Sequence, residues 1–303
     1  MEIIKPGINL DFVGKRRIAL VASLIMLAIG IASLVVKGGP AYGIDFAGGT
    51  LVQIKFSEPT TAAQLRSTLG GLDLRGLTIQ QVGDDGDHEF LVRVQESENL
   101  EALAGEIEAT LNAAYGVGKS EIRRTEMVGP QVGKDLRNKA AQAILFAIVG
   151  MLVYITFRFE FRFGIGTVIA LFHDVLITLG IFSLLNLEID LTVIAAFLAL
   201  VGYSVNDTVI VCDRIRENMG KLHSQPLAEI INRSINETLS RTIMTSGLTL
   251  LAVLALYLFG GSVIHNFAFT LLVGIIIGTY SSVFIASPVL IFWENFRASR
   301  KAA

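Results

Sequence analysis

The stretch "VGYSVNDTVIVCDRIREN", residues 201–218, decides what kind of molecule this is. It closes an apolar run that begins at Leu191 and is long enough to lie in a bilayer. Yet Asn206 and Asp207 stand inside that run. A carboxylate in hydrocarbon is costly and faces protein, water or a partner charge rather than lipid. The fold must therefore supply polar company for Asp207.

The whole chain supports a membrane setting. Its 303 residues are 52% hydrophobic with a mean hydropathy of +0.60, too apolar for an ordinary water-soluble domain. A net charge of −2 gives no basic field, and nucleic acid is not an expected partner. Cys212 is the one cysteine, so no intrachain disulfide forms. His88, His173, His223 and His265 are scattered, with no H-x-x-x-H or C-x-x-C pairing. No metal and no cofactor are expected from them. There is no G-x-S-x-G, H-E-x-x-H or Walker motif, and a dyad of His173 and Asp174 lacks an obviously placed nucleophile, so catalysis is not expected.

A bilayer core needs about 20 apolar residues as helix. Six runs qualify: Ile18–Val36, Ala140–Phe157, Phe163–Leu185, Leu191–Cys212, Thr242–Phe259 and Val263–Trp293. The first follows Lys15-Arg16-Arg17 and exceeds the roughly 7–15 residues of a signal-peptide core, so it reads as a retained span. Short segments bearing Lys or Arg are the N-terminus, "FRFEFRF" (Arg158, Arg162), the 213–241 connection and the tail. The loops "NLEID" and "GGS" bear none. Six spans with both termini cytoplasmic satisfy the positive-inside rule at every segment. The expected plan is a cytoplasmic arm over 1–17, a first span over 18–36 and an extracytoplasmic domain over 37–137. A five-span bundle over 138–295 with its cytoplasmic connection, and a cytoplasmic tail over 296–303, complete it.

The 37–137 insert carries ten Lys/Arg against fifteen Asp/Glu, and long domains cross regardless of charge. Its pattern reads strand "GTLVQIKF", helix "TTAAQLRSTLG", strand "GLTIQQVG", strand "HEFLVRVQ", helix "SENLEALAGEIEATLNAAYG", strand "KSEIRRTEMVG". Phe90, Val92 and Val94 alternate with Leu91, Arg93 and Gln95, as a half-buried strand requires. Asp85-Gly86 is a hairpin signal, and Ser97 an N-cap candidate. The acidic loop around them lacks calcium-ligand spacing and reads as a solvated turn. The order β-α-β-β-α-β predicts a ferredoxin-like α+β domain, which names no function.

Polar groups recur in the spans at helical spacing. Gly166, Ala170, Asp174 and Thr178 form one stripe, with His173 and Asp174 roughly 15 Å from either end of their span. Asp207 shares a face with Tyr203 and lies beside Ser204 and Asn206, about 8 Å below the cytoplasmic edge. Arg241, Thr245 and Thr249 form a row starting at that edge, near enough in depth for Arg241 to pair with Asp207. Asn266, Thr270, Gly274, Gly278 and Ser282 make a third stripe containing a G-x-x-x-G. Such stripes are usually packing faces, and Asp207–Arg241 reads equally as a structural pair or as part of a proton relay.

"GIDFAGGT", "HDVLITLG", "GYSVNDTVIVCDRIREN", "NETLSRTIMTS" and "GTYSSVFIASPVL" closely resemble the SecF family of bacterial Sec translocase accessory subunits, over nearly the whole chain and in order. The resemblance implies one half of an RND-type membrane fold, completed by SecD. It further implies association with SecYEG, often with YajC, and use of the proton gradient to promote late translocation of a preprotein across the cytoplasmic membrane. On it, Asp207 and Arg241 fall on proton-pathway positions, with Asn206 beside Asp207 in the "ND" motif and Thr245 on the face of Arg241. His173 and Asp174 match the family's "HD" segment, and Asp45, Gly48 and Gly49 a motif at the base of the external domain. Gly48-Gly49 read physically as a tight entry into the first strand. Cys212 stands where the family often has Phe. A scaffold that stabilises SecD and the channel, and half of an RND small-molecule exporter, stay as alternatives; the hundred-residue insert is small for the latter.

Overall fold

The structure, a computed structural model, describes residues 8–72, 74–82, 86, 88–94, 100–158 and 161–302. Ser97, Gln95 and most of the acidic loop (Asp84, Asp85, Asp87) lie outside the described residues. The chain forms two compact units, Tyr42–Gln142 and the remainder, Met1–Ala41 with Ala143–Ala303.

After the first long helix, α1 (Arg16–Val36), the Tyr42–Gln142 unit opens with a single helical turn, α2 (Ile44–Ala47). Strand β1 (Gly49–Phe56), helix α3 (Ala62–Leu69), strands β2 (Thr78–Val82) and β3 (Glu89–Val94), helix α4 (Leu100–Tyr115) and strand β4 (Ser120–Val128) follow. The sheet order is β2-β3-β1-β4 and every neighbouring pair is antiparallel, the ferredoxin-like arrangement expected from the pattern. Alternation explains it. Phe90, Val92 and Val94 of β3 point inward with Val52, Ile54 and Phe56 of β1. They meet Leu65 and Leu69 of α3 and Ile107 and Leu111 of α4 in one core.

Helix α3 starts where it does because of a capping box. The Gln64 N–H donates to Thr61 Oγ1, and the Thr61 N–H donates back to Gln64 Oε1. Thr61→Ala removes one acceptor and should cost about 1 kcal/mol. Amide exchange at Gln64 is expected to quicken about fivefold by hydrogen-exchange mass spectrometry. Unchanged exchange there would show that the box carries no stability.

The other unit is helical. Helix α5 (Pro130–Arg158) enters it, followed by α6 (Phe161–Leu185), α7 (Leu191–Lys221), α8 (Leu227–Phe259), α9 (Ser262–Ser281) and α10 (Ser287–Ala302). Counting α9 and α10 as one, six helices among the described residues are long and apolar enough to cross a membrane. Half of the apolar stretch is buried in α6, α7 and the last helix, against 17% or less in α1, α5 and α8. The first three are therefore the centre of the bundle, and the others turn most of their surface outward. Between α9 and α10, Ser282–Ala286 is π-helical. Pro288 accounts for this: it offers no N–H, and its ring displaces the Phe284 carbonyl four residues back.

The connection between the fourth and fifth spans is mostly helix, since α7 runs to Lys221 and α8 resumes at Leu227. The two extensions are joined by Arg214 donating to Glu237 (2.6 Å) and by Asn218 donating to Ser234 (3.0 Å) and Glu237 (2.8 Å). On α8, Asn232 and Asn236 hold the N-terminal arm. Their Oδ1 atoms accept the N–H groups of Phe12 and Leu10 at 2.8 Å, and both amides donate to the Leu10 carbonyl. Val13 then enters the bundle core beside Ile231 and Ile235.

Helices α1 and α6 cross at two glycines. A Cβ on Gly180 would lie 2.7 Å from Gly30 Cα, and one on Gly30 would lie 2.9 Å from Gly180 Cα. That proximity lets Ser33 and Ser183 hydroxyls meet at 2.8 Å. Lys37 then reaches the Ser183 carbonyl and, at 2.7 Å, Asn186 Oδ1.

Candidate functional site

Asp207 faces inward from the middle of α7 and is 3% exposed. Its company comes from two neighbouring helices: Thr242 of α8 donates to Oδ1 at 2.9 Å, and Ser282 donates to Oδ2 at 2.7 Å. Hydroxyl donors stabilise a charged acceptor in a dry interior. Of the two readings left open for Asp207 and Arg241, the direct pair is not formed: no hydrogen bond or salt bridge joins them among the described residues. The rotation of α8 explains this. It turns Thr242, Ser246 and Val253 inward, which sends Arg241 and Thr245 to the exposed side, one residue further round the helix. Asn206 is exposed too. The Thr245 and Thr249 hydroxyls bond back to the carbonyls of Arg241 and Thr245 in their own helix.

A second polar cluster surrounds Asp174, which is fully buried. Ser204 of α7 and Ser281 of α9 donate to its Oδ2 at 2.6 and 2.8 Å. Its Oδ1 lies 2.9 Å from His173 Nδ1. From His173 the chain continues: Nε2 is 3.0 Å from Ser23 Oγ on α1, and Ser23 Oγ is 2.9 Å from the Tyr280 hydroxyl, which donates to the Ala19 carbonyl at 2.6 Å. The imidazole also stacks on the Tyr280 ring, centroids 6.0 Å apart. Ser204, three residues before Asp207 in sequence, therefore serves the other acid.

Two glycines allow these clusters to close. A Cβ on Gly278 would meet Ser204 Cβ at 3.2 Å and Asp174 Oδ2 at 3.6 Å, and one on Gly274 would meet the Leu200 side chain at 2.4 Å. Backbone of α9 thus sits directly on α7 beside the acids.

In the Tyr42–Gln142 unit, Asp45 lies half-buried in the turn of α2. Gly48 has φ +76° and Gly49 φ +118°, both in the left-handed half of backbone space. A Cβ on Gly48 would also meet Pro130 Cα at 3.0 Å, so backbone passes too close for any side chain.

Thr242, Ser281, Ser23 and Tyr280 are partners that the spacing of charged residues did not point to. The signal that could have found Ser281-Ser282 is a polar doublet in an apolar helix six residues before a proline. Among the described residues no three His, Cys, Asp or Glu side chains are grouped as metal ligands. What these groups can do is exchange hydrogen bonds and protons.

Residues 107–296 match the family model described as protein export membrane protein SecD/SecF, C-terminal, and residues 33–60 match the SecD/SecF GG motif. The chain is 45% identical to the protein translocase subunit SecF of Calditerrivibrio nitroreducens, over 98% of each chain. It is 48% identical to that of Desulfurispirillum indicum, over 94% of this chain and 92% of the relative. Among solved structures it is similar to SecDF of Thermus thermophilus, titled a translocon-associated membrane protein, with TM-score 0.87 and 40% identity. That match covers 95% of this chain but 39% of the SecDF chain. A SecDF structure in a super-membrane-facing form matches with TM-score 0.73 and 39% identity, covering 100% of this chain and 41% of that one.

Proposed function

Because this chain belongs to the SecF family of protein translocase subunits, we propose that it acts with SecD in Sec-dependent protein export, using the proton motive force to promote translocation of preproteins. The single observation that carries proton coupling is the Asp207 carboxylate, buried between Thr242 and Ser282 and ion-paired to nothing among the described residues. A buried acid held by hydroxyls can gain and lose a proton without breaking a structural ion pair. His173 and Asp174 form the second candidate station on the pathway.

Asn206, Arg241 and Thr245 would take part from the outward face. Polar groups there are unfavourable against lipid, so a membrane partner covering that face is expected, and SecD is the one proposed. The greater length of the SecDF chain supports this. SecYEG and YajC are further proposed associates.

We place both termini on the cytoplasmic side of a bacterial inner membrane and the ferredoxin-like unit outside, on the distribution of Lys and Arg. Proton entry at Asp207 would shift helices of this half against SecD and move the external unit, in the manner of alternating access.

The test reconstitutes the chain with SecD and SecYEG in proteoliposomes and follows preprotein import with and without a protonophore. The contribution of the SecD–SecF pair should vanish when the gradient collapses. If that contribution persists without a gradient, proton coupling is wrong and the scaffold reading stands.

A further inference from the structure

The two acids are linked by adjacent residues. Ser281 donates to Asp174 and Ser282 to Asp207, and both serines are wholly buried. Each serine has a second acceptor one turn back in its own helix. The Ser281 hydroxyl is 3.1 Å from the Gly278 carbonyl and the Ser282 hydroxyl is 3.0 Å from the Thr279 carbonyl. A hydroxyl carries one proton and can serve only one of these acceptors fully at a time.

We infer that Ser281 and Ser282 are positioning residues for proton exchange at the two carboxylates, each hydroxyl swinging between a carboxylate oxygen and a helix carbonyl as the acid titrates. With Asp207 ionised, Ser282 donates to Oδ2. When a proton binds Oδ2, the acid donates it to Ser282 Oγ, and the serine proton turns to the Thr279 carbonyl. Ser281 does the same between Asp174 and Gly278. No buried donor or acceptor loses its partner in either state, which removes the penalty that an unpaired group would impose on protonation.

The other groups around each acid have fixed roles. Thr242 gives its proton to Asp207 Oδ1 and has no second acceptor among the described residues, so the exchanging proton is assigned to Oδ2. On α8 the charged neighbour is Arg241, the residue before Thr242, on the exposed side of the helix. At Asp174 the titratable groups are His173 on the same helix and, beyond Ser23 of α1, Tyr280 of α9, while α7 offers only the Ser204 hydroxyl. The backbone is adapted as well. Ser282 opens the π-helical turn, and Ser287 Oγ donates to its carbonyl at 2.8 Å, so the serines end a regular ladder rather than lie within one.

This inference rests on the proton-coupling reading, and the experiment separates the two. Ser281→Ala, Ser282→Ala, Ser282→Thr and Asp207→Asn are made in the SecD-bound complex and assayed for gradient-driven import. The Asp207 carboxyl is followed by infrared pH titration, its band assigned by loss in Asp207→Asn. Each alanine variant should lower gradient-driven import about tenfold, the scale of one hydrogen bond to a charged group. Ser282→Ala should also move the pH midpoint of the Asp207 band, and Ser282→Thr should restore both. If Asp207→Asn abolishes gradient-driven import while both alanine variants keep wild-type import and midpoint, the serine inference alone is overturned. It is overturned equally if they lose import only through lower complex abundance, with the midpoint unmoved. If Asp207→Asn imports normally, the coupling reading itself falls and the inference with it.

Discussion

Asp207→Asn is expected to leave the protein folded and bound to its partner while abolishing gradient-stimulated translocation. The geometry sets both halves of that outcome. The asparagine oxygen can still accept from Thr242, 2.9 Å from Oδ1 in the native site. Its amide nitrogen takes the place of Oδ2 and donates to Ser282 Oγ, whose own proton turns to the Thr279 carbonyl. Each heavy atom keeps a partner and only the second amide N–H lacks an acceptor, so the stability change should be about 1–3 kcal/mol. Asparagine cannot ionise, however, and mimics the protonated acid permanently. The checks are complex abundance in membranes and import with a gradient present. Wild-type import at wild-type abundance would sink the relay; low abundance with normal activity per complex would favour a scaffold.

Gly180→Val should be the most disruptive single change in the bundle. Its Cβ would fall 2.7 Å from Gly30 Cα, and backbone cannot evade by changing rotamer. Overpacking alone costs about 1–3 kcal/mol, and pushing α1 away would also break the Ser33–Ser183 and Ser23–His173 hydrogen bonds, each worth about 1 kcal/mol. A disulfide test reads this directly. Cysteines introduced at Ser33 and Ser183 should cross-link readily in the parent, where the hydroxyls touch and the native Cys212 is buried. The link should be lost in Gly180→Val and reduced in Gly180→Ala, with lower thermal stability in both. Undiminished cross-linking would show that the crossing does not depend on these glycines.

Much of the fold is legible before any coordinates. Period-two alternation in 88–95 and the length of the apolar runs are consequences of burial, and burial leaves its period in composition. The rotation of one helix against another leaves no such trace. Arg241 and Asp207 share a depth, yet a turn of α8 of about 100° per residue places Thr242, not Arg241, on the acid. Ser204 likewise stands one helical turn before Asp207 in sequence but meets Asp174. Helix α2 is too short to carry a period at all. The capping box at Thr61 and Gln64 is written in the sequence as T-A-A-Q, a local signal that apolar spacing does not detect. The π turn before Pro288 lies between: proline announces a break, but not its form.

The grip of Asn232 and Asn236 on the N-terminal arm has a consequence for biogenesis. The partners are 220 and 226 residues apart in the chain. At about 5–20 residues per second of synthesis, the arm emerges tens of seconds before the asparagines exist to receive it. Its amides stay solvated through the insertion of the first spans and find their acceptors only once α8 has begun to be made. Closure of this contact is therefore a late event, and an arm left undocked would mark a chain whose membrane half is incomplete.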